Sequence, residues 1–327
     1  MKENRLPVFS VLDVEKRFLL RKGRNGPVEL RALDGVRLDI EEGSSVALVG
    51  ESGSGKSTLV RLLLGLDRPS DGRVLYDGGD LQQVLSRDRA RFAREVAFVY
   101  QDARGSMNPR FTIGDIVGEP IRVHRLHPVQ HIPQRVSELL ERVGLPPSVA
   151  VRYPHQLSGG QVRRVAVARA LAQQPRVIMA DEAVAGLDVS VQASLLNLLR
   201  ELVAELRVTL VFVTHDLGVA SYLCDRIAVM YLGRILETGP VDAILQGPAH
   251  PYTRGLLDSF PRFDRPLRAP LRGEIPSPVD LPAGCRFAGR CPCVQPRCTS
   301  SDPVAQPLPG GRLVACFHPL SGQSGPT

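Results

Sequence analysis

Eight consecutive residues limit what this chain can fold into more than any others do. Gly50-Glu51-Ser52-Gly53-Ser54-Gly55-Lys56-Ser57 fits the pattern G-x-x-x-x-G-K-[ST]. Residues 44–49 before it are small and apolar throughout, as in a strand covered on both faces, and 57–66 after it read as a helix. A buried strand, a glycine turn and a crossover helix open a parallel α/β layer. In that setting Gly50, Gly53 and Gly55, with Ser52 and Ser54 between them, let backbone N–H groups converge on phosphate oxygens. The helix N-terminus adds positive potential, Lys56 reaches the β- and γ-phosphates, the Ser57 hydroxyl suits Mg²⁺, and Thr58 follows in the same turn.

At 327 residues the chain exceeds one typical domain, so an insertion and an appended tail are expected around this core. Hydrophobic content of 43% and charged content of 23% are ordinary for a folded soluble protein and argue against disorder or membrane integration. The apolar runs at 177–180 and 208–213 are strand-sized, and 195–206 is broken by Asn197, Arg200, Glu201 and Glu205, so none spans a bilayer. The first seven residues lack a hydrophobic region and a cleavage pattern, which points to the cytosol. The net charge of +7 is dispersed along the chain without interleaved aromatics, against a nucleic-acid partner. Lys2, Lys16, Lys22 and Lys56 are the only lysines, so Lys56 stands out in an arginine-dominated chain.

Strand-like stretches at 8–14 and 28–40, joined by a turn-prone segment, predict a small antiparallel sheet. Buried strands are predicted at 95–99, 176–180, 209–214 and 226–230, and helices at about 160–173, 190–206 and 217–223, an alternation that favours a mainly parallel sheet. Between Asp102 and Leu157 helical patterns dominate, notably 133–143. From about Pro261 periodicity is lost and Pro, Gly and Arg become frequent. The expected division is a nucleotide-binding domain over 1–260, with a helical subdomain inserted at about 102–170, and an irregular extension over 261–327.

Two further motifs follow the loop. Residues 177–182 form an apolar strand ending in Asp181 and Glu182, where ligands of open parallel sheets bind. Asp181 suits a Mg²⁺ shell, and Glu182 suits polarising an attacking water. Leu157-Ser158-Gly159-Gly160-Gln161 precedes a helix, where a hydroxyl, two glycines and exposed N–H groups can grip a γ-phosphate; alone, it reads better as an ordinary Ser-capped helix.

In their order along the chain, 50–57, 157–161 and 177–182, the three motifs resemble those of the ATP-binding cassettes over about residues 8–260. The resemblance implies a P-loop NTPase (RecA-like) core with a mainly parallel sheet, an antiparallel β subdomain and an inserted α-helical subdomain. It implies that Gln101 senses Mg²⁺ and water, that His215 contacts the γ-phosphate, and that Asp188 lies on a loop crossing to the partner subunit. Phe18 is the candidate to stack on adenine, with a core aromatic as the alternative. The chain departs from the family at 183–186, Ala-Val-Ala-Gly where Pro-Thr-Ser-Ala or a close variant is usual, and at Ala103 where proline is usual; Gly186 predicts a relaxed crossing loop.

Five of the six cysteines lie in the tail, and Cys285, Cys291, Cys298 and Cys316 offer four thiolate ligands in a chain read as cytosolic. Spacing alone does not choose among an iron–sulfur cluster, zinc and free thiols, and Cys293 has no ligand role. His250-Pro251-Tyr252-Thr253, 273–278 and Gly284-Cys285-Arg286-Phe287 resemble the C-terminal extension of oligopeptide, dipeptide and nickel importer ATPases, which implies a [4Fe–4S] site. Arg262, Arg265, Arg268 and Arg272 read as a solvated linker or, more weakly, a contact to anionic lipid.

The resemblance implies an ATPase, with ATP and Mg²⁺, on the cytoplasmic face of the cell membrane. Its partners are a second cassette subunit, two permease subunits, reached through segments around 111–120, and an extracytoplasmic binding protein. A soluble non-transport cassette, a slowly hydrolysing regulatory cassette, and nickel chelates or glutathione-like solutes as cargo remain open at this point.

Overall fold

The computed structural model describes residues 7–21, 27–259, 271 and 273–320, which fall into two compact units. Arg262, Arg265, Arg268 and Arg272 lie outside the described residues, as do residues 1–6.

The first unit comprises Met1–Glu41, Ser45–Gln82 and Thr214–Thr327. It contains an antiparallel sheet in the order Pro27–Ile40, Phe9–Arg21, Asp71–Tyr76, Gly79–Asp80. The strand expected at 8–14 continues to Arg21. Its pairing with Pro27–Ile40 shifts register between Val11 and Val14, between Val14 and Lys16, and between Lys16 and Arg17, and Asp13 takes φ 49°. The first shift adds a residue to this strand and the other two add one each to its partner, and beyond Val14 the described side chains are half-buried or exposed, so the alternation that marks a strand fades.

In the same unit Ser45–Val49 runs parallel to Arg226–Tyr231, which pairs antiparallel with Arg234–Pro240. The tail adds to this edge: Arg312–Val314 pairs with Arg234–Pro240, and Gln306–Leu308 lies outside it. This hairpin is absent from the sequence expectation because two three-residue strands carry no readable alternation. Deeper in the unit, Arg286 is buried and donates to the Leu232 carbonyl and to Asp34 Oδ2, which also accepts from Arg234 at 2.9 Å.

The second unit comprises Glu42–Ser44 and Gln83–Val213. Strands Val96–Val99, Val177–Asp181 and Thr209–Thr214 pair in parallel, and the helix Val189–Leu206 makes the crossover between the last two. Helices Ile113–Val123, Ile132–Arg142 and Gly159–Ala172 also belong to this unit. The first starts at Thr112, whose hydroxyl accepts the Asp115 N–H at 3.1 Å, and buries Ile113, Ile116, Val117 and Ile121 on one face. Among the described residues no helix is long and apolar enough to cross a membrane.

Candidate functional site

The phosphate loop lies in the first unit, between the fully buried strand Ser45–Val49 and the helix Lys56–Leu63. Gly55 caps that helix at φ 102°, and a Cβ there would fall 2.6 Å from the Ala32 carbonyl oxygen, so no larger residue fits without a shift. Lys56 is buried, and its Nζ donates to the carbonyls of Gly50 (2.7 Å) and Glu51 (2.9 Å) and to Ser54 Oγ (3.2 Å). A phosphate arriving here would offer this ammonium charged oxygens in place of neutral ones, a stronger class of partner. Ser52, Gly53 and Ser57 are exposed, and Thr58 is half-buried.

His215 belongs to the same unit and is exposed, just before the helix Leu217–Leu223. Phe18 is also exposed, with the Lys16 ammonium 5.0 Å from its ring centre, which removes the core-aromatic alternative.

The carboxylates lie in the second unit. Asp181 ends its strand half-buried, and Glu182 takes φ 42°, a left-handed backbone that a non-glycine residue adopts only where its surroundings hold it. The Glu182 N–H donates to the Val213 carbonyl at 3.0 Å, and its Oε2 accepts from Gln101 Nε2 at 2.7 Å. Two residues singled out separately in the sequence are thus joined by a direct hydrogen bond.

Residues 157–161 take both of their readings at once. The Ser158 hydroxyl accepts the Gln161 N–H (3.3 Å) and Gln161 Oε1 accepts the Ser158 N–H (3.1 Å), a reciprocal cap on the helix Gly159–Ala172. Leu157 is buried, its carbonyl accepting from Arg104 at 2.8 Å, while Ser158 and Gly159 are exposed and Gly160 and Gln161 half-buried. An ordinary Ser cap therefore leaves the positive end of the helix facing outward.

The loop at 183–188 is firmer than its composition predicts. Arg163 donates to the Ala183 carbonyl at 2.6 Å and to the Ala185 carbonyl, and Ala183 and Val184 are buried. Gly186 takes φ 69°, so it serves a left-handed turn rather than a loose one. Asp188 is exposed at the start of the helix Val189–Leu206. Arg163 is the functional candidate that sequence reasoning missed; its helix also carries Arg164 and Arg169, so composition offered no signal that singles it out.

In the tail, Cys285, Cys291, Cys298 and Cys316 line one cavity together with Cys293, His250 and His318. The Cys285 N–H donates to the Cys298 carbonyl at 2.8 Å. Burial pushes the thiols of Cys285, Cys316 and Cys291 up, the last to about 11, and neighbouring cysteines add to the effect. Burial also pushes His250 down to about 3, which leaves it neutral, and the Nε2 atoms of His250 and His318 are buried without a hydrogen-bond partner. Thiols that resist ionisation alone, beside imidazoles whose Nε2 has no partner, are a donor set that a soft metal centre fits. Among the described residues no group of three or more His, Cys, Asp or Glu side chains converges at metal-holding spacing. The four cysteines share a cavity without closing on a point.

Comparison with known proteins bears on both regions. The family model described as ABC transporter matches residues 33–185, and the model described as oligopeptide/dipeptide transporter, C-terminal region, matches residues 236–298. The chain is 46% identical over 296 residues to the "Probable peptide ABC transporter ATP-binding protein y4tS" of Sinorhizobium fredii, covering 89% of this chain and 83% of that one. It is 40% identical over 316 residues to the "Oligopeptide transport ATP-binding protein OppF" of Salmonella typhimurium, covering 93% and 94%. Among solved structures, the dimeric post-hydrolysis ATP-binding cassette MJ0796, bound to ADP and Pi, superposes with a TM-score of 0.64 at 31% identity, covering 71% of this chain and 98% of that one.

Proposed function

The chain belongs to the ABC transporter family, and from that premise we propose that it is the ATP-hydrolysing subunit of an importer for di- or oligopeptides. The observation that carries the reading is the presence in one chain of both the nucleotide-binding region and the C-terminal region of oligopeptide/dipeptide transporters. Its core is a P-loop NTPase fold.

Roles follow from chemistry. Lys56 and the amides of Gly50, Ser52, Gly53, Ser54, Gly55, Ser57 and Thr58 bind the phosphates, and Phe18 stacks on adenine. The oxygens of Ser57, Asp181 and Gln101 are the hard ligands that Mg²⁺ prefers, and the ion, when bound, neutralises charge on the β- and γ-phosphates. Glu182 accepts a hydrogen bond from the attacking water and draws off its proton as the bond from the γ-phosphorus to ADP breaks. Gln101 holds Glu182 for this task, and His215 donates to the γ-phosphate. Leu157, Ser158, Gly159, Gly160 and Gln161 present a capped helix N-terminus to the ATP of a second cassette, and Asp188 lies on the loop that crosses to it. Each site is then completed by two subunits, and ATP favours the closed pair because it binds that state better.

We assign residues 1–260 to the nucleotide-binding domain, with the helical subdomain at about 102–170, and 261–327 to an extension in which Cys285, Cys291, Cys298 and Cys316 hold a [4Fe–4S] cluster, with zinc as the rival. A bound cluster would cross-link the four cysteine-bearing segments. The subunit works at the cytoplasmic face of the membrane with a second cassette, two permease subunits, contacted near 111–120, and an extracytoplasmic binding protein.

The test is made on the purified assembly reconstituted in vesicles. Peptide-loaded binding protein stimulates ATP turnover and peptide uptake. Turnover that ignores the binding protein, or a chain that never co-purifies with permease subunits, indicates a regulatory or soluble cassette instead; stimulation by a nickel chelate or a glutathione-like solute alone replaces the cargo.

A further inference from the structure

The tail reaches the phosphate loop through one ion pair. Arg290, immediately before Cys291, places its guanidinium against the carboxylate of Glu51, the second residue of the loop. Arg290 Nη1 donates to Glu51 Oε2 at 2.7 Å and Nη2 to Oε1 at 3.1 Å, a two-pronged geometry with the arginine side chain only 5% exposed. The guanidinium is seated rather than mobile. It lies 5.7 Å from the ring centre of Tyr231 and 6.0 Å from that of Phe287, and it also donates to the Tyr231 hydroxyl at 3.3 Å. Tyr231, Tyr252 and Phe287 pack against one another with ring centres 4.7–5.5 Å apart. Tyr252 adds a second tie, since its hydroxyl accepts the Glu51 N–H at 3.0 Å.

Glu51 poses an electrostatic problem for a loop that binds phosphates. Its backbone carbonyl is held by Lys56, so its position is tied to that of the phosphate-binding ammonium, and its carboxylate brings negative charge to a site for a polyanion. In a half-buried setting such a charge is only partly screened. The bidentate arginine cancels it and fixes its direction.

We propose that Arg290 is a positioning residue of the nucleotide site: it neutralises and orients Glu51, so the tail sets the affinity of the loop for ATP. The inference rests on reading Gly50–Ser57 as the nucleotide loop. It concerns ground-state binding, so it acts on KM for ATP and leaves kcat nearly unchanged.

The experiment uses the full chain in its assembled transporter, with KM and kcat for ATP measured together and Mg-ATP affinity measured by calorimetry on the full chain. Arg290→Gln raises KM and Kd about tenfold, while kcat stays within about twofold. Adding Glu51→Gln to that variant restores most of the affinity, because the uncompensated charge is gone. Arg290→Lys, which keeps the charge but not the fork, gives an intermediate value. Should the arginine variants fold poorly, Glu51→Gln alone still decides: affinity no weaker than wild type supports charge cancellation, and affinity as weak as that expected for Arg290→Gln overturns it. The inference is also overturned if Arg290→Gln leaves KM unchanged, or if Glu51→Gln fails to rescue it, since a merely propped tail would show no such rescue. Lys56→Ala separates the two layers: loss of ATP binding there, with no effect of Arg290→Gln, removes the inference alone, whereas retained binding in Lys56→Ala removes the reading of the loop itself.

Discussion

In the loop at Gly50–Ser57, the groups that would meet a phosphate are mostly backbone amides, aimed by a buried strand and a helix start, with one lysine folded over them. In the tail, the groups that would meet a metal are side chains carried on irregular segments and one short helix, Pro296–Ser300. The loop owes its geometry to regular secondary structure, so it is formed before any ligand arrives. The tail has little regular structure to lean on, and its four thiols share a cavity without converging. Binding in the first region should therefore change what the protein does, and binding in the second should change how well it holds together.

That contrast can be broken by measurement. The largest effect is expected at Glu182: Glu182→Gln should bind ATP yet lose turnover by about 10²-fold or more, with an unchanged unfolding midpoint. Full ATPase activity in this variant would sink the assignment of the catalytic carboxylate.

Next is Asp34, the partner of buried Arg286. Asp34→Ala removes the hydrogen-bonded carboxylate of that guanidinium and should cost about 3 kcal/mol in denaturant unfolding; a loss within error would show that this ion pair contributes nothing to the stability of its unit. Replacing Cys285, Cys291, Cys298 and Cys316 by serine should abolish bound iron in protein purified without oxygen and lower stability by about 2 kcal/mol. Zinc in place of iron would change the metal but keep the contrast, and metal-free wild type of equal stability would end it.

A smaller kinetic effect is expected from Arg163→Ala, which frees the carbonyls of Ala183 and Ala185 and should lower kcat about tenfold. The smallest effect is one of pH. Burial alone would raise the Asp34 carboxyl, but the hydrogen bond and charge of Arg234 with the charge of Arg286 hold it below the ordinary 3.8. Its stabilisation is fully present above that value and is lost as pH falls through the lower folded one. The stability gap between wild type and Asp34→Asn should thus narrow in acid below 3.8; a gap that widens there would contradict the assignment.

The two regions also differ in how far sequence reveals them. Contiguous motifs that form their own local geometry were readable: the loop, the Ser158–Gln161 cap, and the strand that presents Asp181 and Glu182. Gln101 and Glu182 were each singled out, but the hydrogen bond between them is visible only in the structure. What escaped were features made by side chains far apart in the chain. Arg286 and Asp34 are 252 positions apart, and Arg290 and Glu51 are 239, and neither pair leaves a periodic trace. The first strand reads short because beyond Val14 its described side chains are half-buried or exposed and leave no alternation to read, and Arg163 escapes because its partners are carbonyls, which every residue has.

The hairpin of Gln306–Leu308 and Arg312–Val314 has a consequence for handling the protein. Without it the strand Arg234–Pro240 would offer open N–H and C=O groups, a template on which another chain can pair. What the hairpin leaves outermost is three residues long and centred on Pro307, which lacks a donor, so the template is blunted. A fragment cut at about residue 260 should therefore self-associate for reasons unrelated to nucleotide or metal, and its insolubility should not be mistaken for evidence about either.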